Sequence, residues 1–168
     1  MNHQIDVSSS TAQAEPVEAC PEPGRRAQRP PQGERIFSLP IRVYWEGGAG
    51  GIVFYANYLK FFERARTEWL RSLGIGQQAL REQTGGMFVV SETAVKYHRP
   101  ARLDDELLVT ARLQESGRAS LTIAQQAWRK TGGEPELLCE GRIRIGWVSA
   151  NSMKPERIPG SILETLTY

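Results

Sequence analysis

Cysteine and histidine are nearly missing from this sequence. The 168 residues hold two of each. Cys20 and Cys139 offer no paired spacing for zinc or a structural disulfide, and His3 and His98 are too few for a histidine-based metal centre. Only His98 lies in the part that reads as folded, so any catalytic triad would depend on it. Long apolar runs are also lacking: none approaches the ~20 residues that span a bilayer. Met1-Asn2-His3-Gln4-Ile5-Asp6 shows no basic region leading into an apolar stretch, so no secretory signal is visible. Charge of one sign is missing as well. Lys and Arg total 21 against 19 Asp and Glu, a net of +2, far from the basic excess of a dedicated nucleic-acid binder. The expectation is a cytoplasmic protein with no metal, no nucleic-acid partner and no transmembrane segment.

Residues 1–35 contain five of the ten prolines and no aromatic residue. Such a segment buries too little apolar surface to offset its ordering entropy, and it is expected to be a disordered tail. The working domain is then residues 36–168. Ile36 to Glu46 reads as a strand, with Ile41, Val43 and Trp45 alternating against Arg42 and Tyr44. A long helix is expected from Asn57 to Leu73, with Asn57 as N-cap and Gly74 as the C-terminal stop. Tyr58, Phe62, Ala65 and Trp69 form its apolar face, and Leu59, Leu70 and Leu73 widen the stripe. Arg64, Arg66, Glu68 and Arg71 supply the wet side. Apolar residues on more than one side predict a largely enclosed helix. Residues 76–83 read as a second, short helix closed by Gly85-Gly86.

Four strands follow: Met87 to Arg99, Glu106 to Glu115, Arg118 to Lys130 and Leu137 to Ser149. In the last, Leu137, Cys139, Ile143, Ile145 and Trp147 share one face. Short turns join them, which implies an antiparallel sheet. One long helix against such a sheet is an α+β layer architecture.

The glycines between the first strand and the long helix let a ligand approach the backbone. The helix start behind them directs unpaired N–H groups and a positive dipole end at the same place, an arrangement suited to a carbonyl oxygen gaining negative charge. Neither a G-x-G-x-x-G nor a G-x-x-x-x-G-K-[ST] pattern is present, so nucleotide cradling by those loops is not supported.

Tyr44-Trp45-Glu46 followed by Gly51-Ile52-Val53-Phe54-Tyr55-Ala56-Asn57-Tyr58 resembles the entry signature of hotdog-fold acyl-CoA thioesterases. The nearest groups are the 4-hydroxybenzoyl-CoA thioesterases and the acyl-CoA thioesterases associated with the Tol-Pal system. Glu63-Arg64-Ala65-Arg66-Thr67-Glu68 resembles the middle of their helix. Val95-Lys96-Tyr97 with Pro100-Ala101-Arg102-Leu103-Asp104-Asp105 resembles their second strand and its exit, and Met153-Lys154-Pro155 the segment after the last strand. The resemblance covers roughly residues 41–163. It implies a long central helix wrapped by a curved antiparallel sheet, a homodimer or homotetramer with sites between subunits, and hydrolysis of an acyl-CoA thioester to a free acid and coenzyme A. Coenzyme A enters as part of the substrate, and no separate cofactor is implied.

The chain departs from that pattern at one place. Where the family carries the second Asp of an Asp-x-Asp pair, as nucleophile or general base, this sequence has Gly48, in a loop one residue short. Glycine can neither attack a carbonyl nor accept a proton. The catalytic candidates are therefore Glu46, which the short loop could swing into the vacant place; Glu63, a carboxylate on the helix; and Tyr55, at a position where the Tol-Pal branch has histidine. A solvated strand-end Glu46, and a Glu63 paired with Arg66 or Arg99, are the plainer readings of the two acids. The resemblance places Gly48, Gly51, Ile52, Val53, Phe54, Asn57 and Tyr58 around the substrate. Arg99, Arg102, Lys154 and Arg157 flank strand exits and are candidate contacts for the coenzyme A phosphates, Arg102 and Lys154 being taken as the substrate-binding pair. His98 reads as a hydrogen-bonded strand residue and Asp104-Asp105 as a turn cap. An acyl-CoA-binding module that has lost turnover is the alternative that Gly48 motivates. A dehydratase of the same fold would need an acid–base pair that usually includes histidine, and His98 lies in a strand with no evident partner.

Overall fold

A computed structural model describes residues 36–44 and 50–167. The expected 1–35 tail, and with it the lower domain boundary, falls outside the described residues. Five strands and three helices are described: β1 (Phe37–Arg42), α1 (Asn57–Ser72), α2 (Gln77–Thr84), β2 (Gly86–Tyr97), β3 (Glu106–Ser116), β4 (Ser120–Arg129), β5 (Glu136–Ser149) and α3 (Gly160–Thr167). The strands form one antiparallel sheet in the order β1-β3-β4-β5-β2. The α+β reading stands. The first strand stops at Arg42, short of the expected end, although Ile41 and Val43 are buried and Tyr44 is exposed as alternation requires.

The core lies between the sheet and one face of α1. Tyr58, Phe61, Phe62, Ala65, Trp69 and Leu70 of that helix are buried against Leu107, Val109, Ile123, Ile143 and Ile145 of the strands. The helix ends as its sequence suggests. Gly74 takes a left-handed φ of 79°, its N–H donates to Arg71 O at 2.9 Å, and the Ile75 N–H reaches back to Leu70 O at 2.9 Å. These two bonds form a Schellman stop, with Ile75 as the apolar residue that seals it.

Four expectations need correction. The N-cap is Ala56, with no side-chain cap bond, and Asn57 is the first helical residue. The helix is not enclosed: Leu59 and Leu73 are exposed, so one chain buries only one face. Arg66 is on the buried side, 8% exposed. Its Nη1 donates to Gln125 Oε1 at 2.8 Å, and Gln125 Nε2 donates to Phe62 O at 2.9 Å, so a neutral amide anchors the guanidinium over β4. Finally, Leu137 does not share the face of Cys139. The β4–β5 register shifts between Ala127 and Trp128, and the extra residue, Leu138, joins the core in its place.

β2 is an edge strand of twelve residues, paired only with β5. Register places Val90, Thr93, Val95 and Tyr97 opposite core-facing residues of β5. Yet Val90 and Tyr97 are 53% and 44% exposed, because α1 packs over β1, β3 and β4. The side of the sheet between α1 and the β2 edge is therefore open.

Candidate active site

Glu46 and Gly48, together with Trp45, Gly47 and Ala49, lie outside the described residues. From Gly50 onward the chain is built around the start of α1. Gly50 and Gly51 take φ values of 105° and 72°, a region where a side chain is strained and glycine is not. The chain then bridges to the β2 exit: Ile52 pairs with Arg102, and the Val53 N–H donates to Ala101 O at 2.8 Å. Val53 is buried, whereas Ile52 (40%), Phe54 (49%) and Tyr55 (61%) are exposed.

Two of the amides in this region are already spent. Val53 N–H goes to Ala101 and Asn57 N–H to Phe54 O at 2.9 Å. The amides of Phe54, Tyr55 and Ala56 donate to no backbone carbonyl among the described residues. They sit at the positive end of the α1 dipole, where donors of this kind stabilise an anionic oxygen.

An aromatic cluster frames that end. Phe54 and Tyr55 have ring centroids 4.5 Å apart, Tyr55 meets Tyr97 edge-on at 6.1 Å, and Tyr58 meets Tyr97 at 5.6 Å. The Tyr97 hydroxyl donates to Tyr55 O at 3.0 Å and so fixes the turn to β2. Tyr58 is 2% exposed, and its hydroxyl accepts the Ala101 N–H at 2.8 Å. Burial pushes the Tyr58 phenol above its ordinary value; the bond from Ala101 pulls the other way and loses. Burial raises the Tyr97 phenol too. Behind the cluster the Cys139 thiol is buried and pushed up to about 12, chiefly by that burial, so it is no nucleophile at neutral pH. Asn57 is half-buried at the first position of α1.

Glu63 stands exposed on α1, one turn from Leu59 and three residues before Arg66, whose guanidinium feels its charge. Neither expected ion pair forms: Arg66 is held by Gln125, and Arg99 Nε bonds Glu136 at 2.9 Å. Arg102 is exposed near the helix start, its N–H donating to Asp105 Oδ2 at 2.8 Å. Asp105 thus caps the turn, as its sequence position suggests, and it also pairs with Arg129. Lys154 is exposed at the opposite end of the sheet, its carbonyl accepting the Ser149 N–H. The fourteen residues of β5 separate the two cations, a span of ~40 Å at strand rise. Arg102 and Lys154 of one chain therefore cannot share one phosphate group. Arg157 lies at the Lys154 end, next to the Ile158 bond to Arg118 O. His98 lies half-buried just past the end of β2 and is hydrogen-bonded as expected, but its partner corrects the sequence reading: Nε2 is 3.2 Å from Glu140 Oε1, an acid that reading did not find.

Sequence reading missed Tyr97 as part of this cluster. Its signal was present: Val95 and Tyr97 alternate on a strand whose face one chain leaves uncovered.

The family model for the Thioesterase superfamily matches residues 50–136. The chain belongs to the thioesterase superfamily. It is 40% identical over 127 residues to the acyl-CoA thioesterase YbgC of Haemophilus influenzae, covering 75% of this chain and 90% of that one. It is 40% identical over 129 residues to the acyl-CoA thioester hydrolase YbgC of Escherichia coli, covering 76% and 93%. Among solved structures, a 4-hydroxybenzoyl CoA thioesterase mutant complexed with 4-hydroxybenzoyl CoA superposes with a TM-score of 0.74 at 19% identity, covering 79% of this chain and 99% of that one. At that identity the likeness speaks for the fold alone. A hypothetical protein from Aquifex aeolicus superposes with a TM-score of 0.69 at 28% identity, covering 78% and 99%. The helix-on-sheet architecture is the hotdog fold that the resemblance implied. No helix among the described residues is long and apolar enough to cross a membrane.

Proposed function

We propose that this enzyme hydrolyses an acyl-CoA thioester to a free acid and coenzyme A, working as a homodimer joined along β2. The observation that carries the reading is the open start of α1, with three amides that bond no backbone carbonyl among the described residues, a rim of exposed aromatic rings and an apolar strand face beside it. A thioester carbonyl seated there would be polarised by the Phe54–Ala56 amides, and its acyl group would lie on Phe54, Tyr55 and Tyr97. The YbgC relatives named as acyl-CoA thioesterases support the substrate class.

Attack needs a water and a base. Glu63 is about six residues along α1 from the helix start, ~9 Å at helical rise, too far to serve its own helix start directly. A two-fold pairing of the β2 edges would set the α1 flank of one subunit facing the other's helix start, and Glu63 would then act across the interface. The same pairing runs antiparallel, so it would carry the Lys154 end of one subunit toward the Arg102 end of the other and gather phosphate contacts that one chain keeps apart. Glu46, immediately before the glycines in sequence, is the second candidate base. Gly48 favours one other reading, in which the groove binds acyl-CoA without turning it over.

Thiol release from acetyl-, butyryl-, decanoyl- and benzoyl-CoA by the purified chain decides between these readings. Turnover that falls at least a hundredfold in Glu63→Gln, with KM little changed, is the expected result. The same fall in Glu46→Gln instead would move the base to the loop. Tight binding with no turnover of any of the four would establish the non-hydrolytic reading. Neither binding nor turnover would end the proposal.

A further inference from the structure

The outer face of the sheet, turned away from α1, carries a groove of about 710 Å³ that the reaction does not use. Register explains its shape. Ala94, Arg142, Ala124 and Arg112 lie side by side on β2, β5, β4 and β3, so small and long side chains alternate across the strands. Arg112 and Arg142 are two strands apart, ~10 Å at strand spacing, and Ala124 is the low floor between them. Lys96 stands on the same wall. Of the lining charges, Glu140 is bonded to His98 and Arg142 pairs with Glu115 at 2.9 Å. Lys96 and Arg112 have no ion-pair partner among the described residues.

Ile36, the first described residue, lines this groove, next to the Phe37–Ala111 pair that puts it beside Arg112. The described chain therefore begins at the groove's rim, with 35 residues preceding it in sequence. Their charge is segregated. Asp6, Glu15, Glu18 and Glu22 fall within residues 1–24, which contain no Lys or Arg, while Arg25, Arg26, Arg29 and Arg35 fall in residues 25–35 with one acid, Glu34. The latter eleven residues span up to ~36 Å when extended, more than the width of the sheet.

We propose that the acidic stretch around Glu15, Glu18 and Glu22 docks in this groove of its own chain, its carboxylates set against Lys96, Arg112 and Arg142. Proline at positions 16, 21 and 23 favours an extended backbone by residue type, which would lower the entropy lost on docking. The occupied groove would close the outer sheet face to other partners and leave the β2 edge as the free contact surface.

Cys20 sits inside the acidic stretch, and Cys139, the other cysteine, is fully buried. The full chain carrying Ala124→Cys should therefore form an intrachain Cys20 disulfide under mild oxidation, at least tenfold faster than the full chain carrying Lys60→Cys on the exposed side of α1. Arg112→Glu in the Ala124→Cys background should slow closure about tenfold, and adding Glu18→Arg should restore it. A nitroxide on Cys20 of the otherwise unaltered chain gives a test without core changes: the amide signals of Ala94, Ala124 and Arg142 should broaden, and those of α3 should not. Equal closure rates at the two sites, insensitivity to charge reversal, or uniform broadening would overturn the proposal. A disulfide found only between chains would overturn it too, assigning the groove to a neighbouring molecule.

Discussion

Removing one oxygen tests whether the helix start is held in place as described. Tyr58→Phe keeps the ring between Phe61 and Tyr97 but deletes the acceptor of the Ala101 N–H, a bond of 2.8 Å. Ala101 is 0% exposed, so water cannot replace the oxygen, and the stranded donor should cost about 1–3 kcal/mol. For a domain of this size that is a fall in melting temperature on the order of 5–10 °C. The effect should extend beyond stability, because Ala101 O also holds the Val53 N–H. One residue thus ties the glycine turn to the helix start, and loosening it should lower kcat more than it raises KM.

The pH response adds a second readout of the same oxygen. The Tyr58 phenol is raised in the folded state, so its contribution is complete below the ordinary phenol value near 10 and is lost as pH climbs through the raised one. The variant should lack that part of the alkaline loss. Urea unfolding at pH 7 and pH 10.5 measures both. A variant as stable as the parent within about 0.5 kcal/mol at pH 7, with an unchanged alkaline slope, would refute the placement of this hydroxyl.

Two further perturbations probe buried polarity. Gln125→Leu strips Arg66 of its hydrogen-bond acceptor and should cost about 1–3 kcal/mol, because a buried donor is left unsatisfied while only the charge of Glu63 still acts on it. Arg66→Met alone should cost less, and the two together should be far milder than their sum. Strict additivity in urea unfolding would show that the pair is not coupled. Cys139→Ala should flatten the pH dependence of stability above pH 9. The parent's thiol is pushed up to about 12 from 9.0, so the unfolded chain releases that proton first and parental stability falls as pH rises. Matching slopes for parent and variant between pH 8 and 10.5 would contradict the burial of this thiol.

The backbone architecture could be read from the sequence because each element repeats one period. Tyr58, Phe62, Ala65 and Trp69 recur at helical spacing, and Leu107, Val109 and Ala111 at strand spacing, and all of them are buried. The readings failed where one residue breaks the rule for its class. Arg66 looks wet by type, and only Gln125, 59 residues away, makes its burial tolerable. Leu138 takes the core place expected of Leu137 because a bulge intervenes, and nothing local marks it. The short helix α3, with only Ile162 and Leu166 buried, carries too few apolar residues to declare a period.

The candidate site was legible for a different reason and to a smaller extent. Phe54, Tyr55 and Tyr58 were picked out by resemblance, yet their roles diverge. Tyr58 is used up inside the core by Ala101, while Phe54 and Tyr55 stay exposed on the rim. Residue type and position could not separate them, because all three are aromatic and lie within five consecutive residues. What separates them is whether the β2 exit lies behind the ring or in front of it. Arg102 and Lys154 show the converse. Both were grouped by charge, and the length of β5 puts them at opposite ends of one chain. A pattern of apolar residues on β2 that a single chain leaves open, together with phosphate candidates that a single chain cannot gather, has one economical physical reading. On the proposed pairing along β2, a second copy would supply the wall and the charge that one chain lacks.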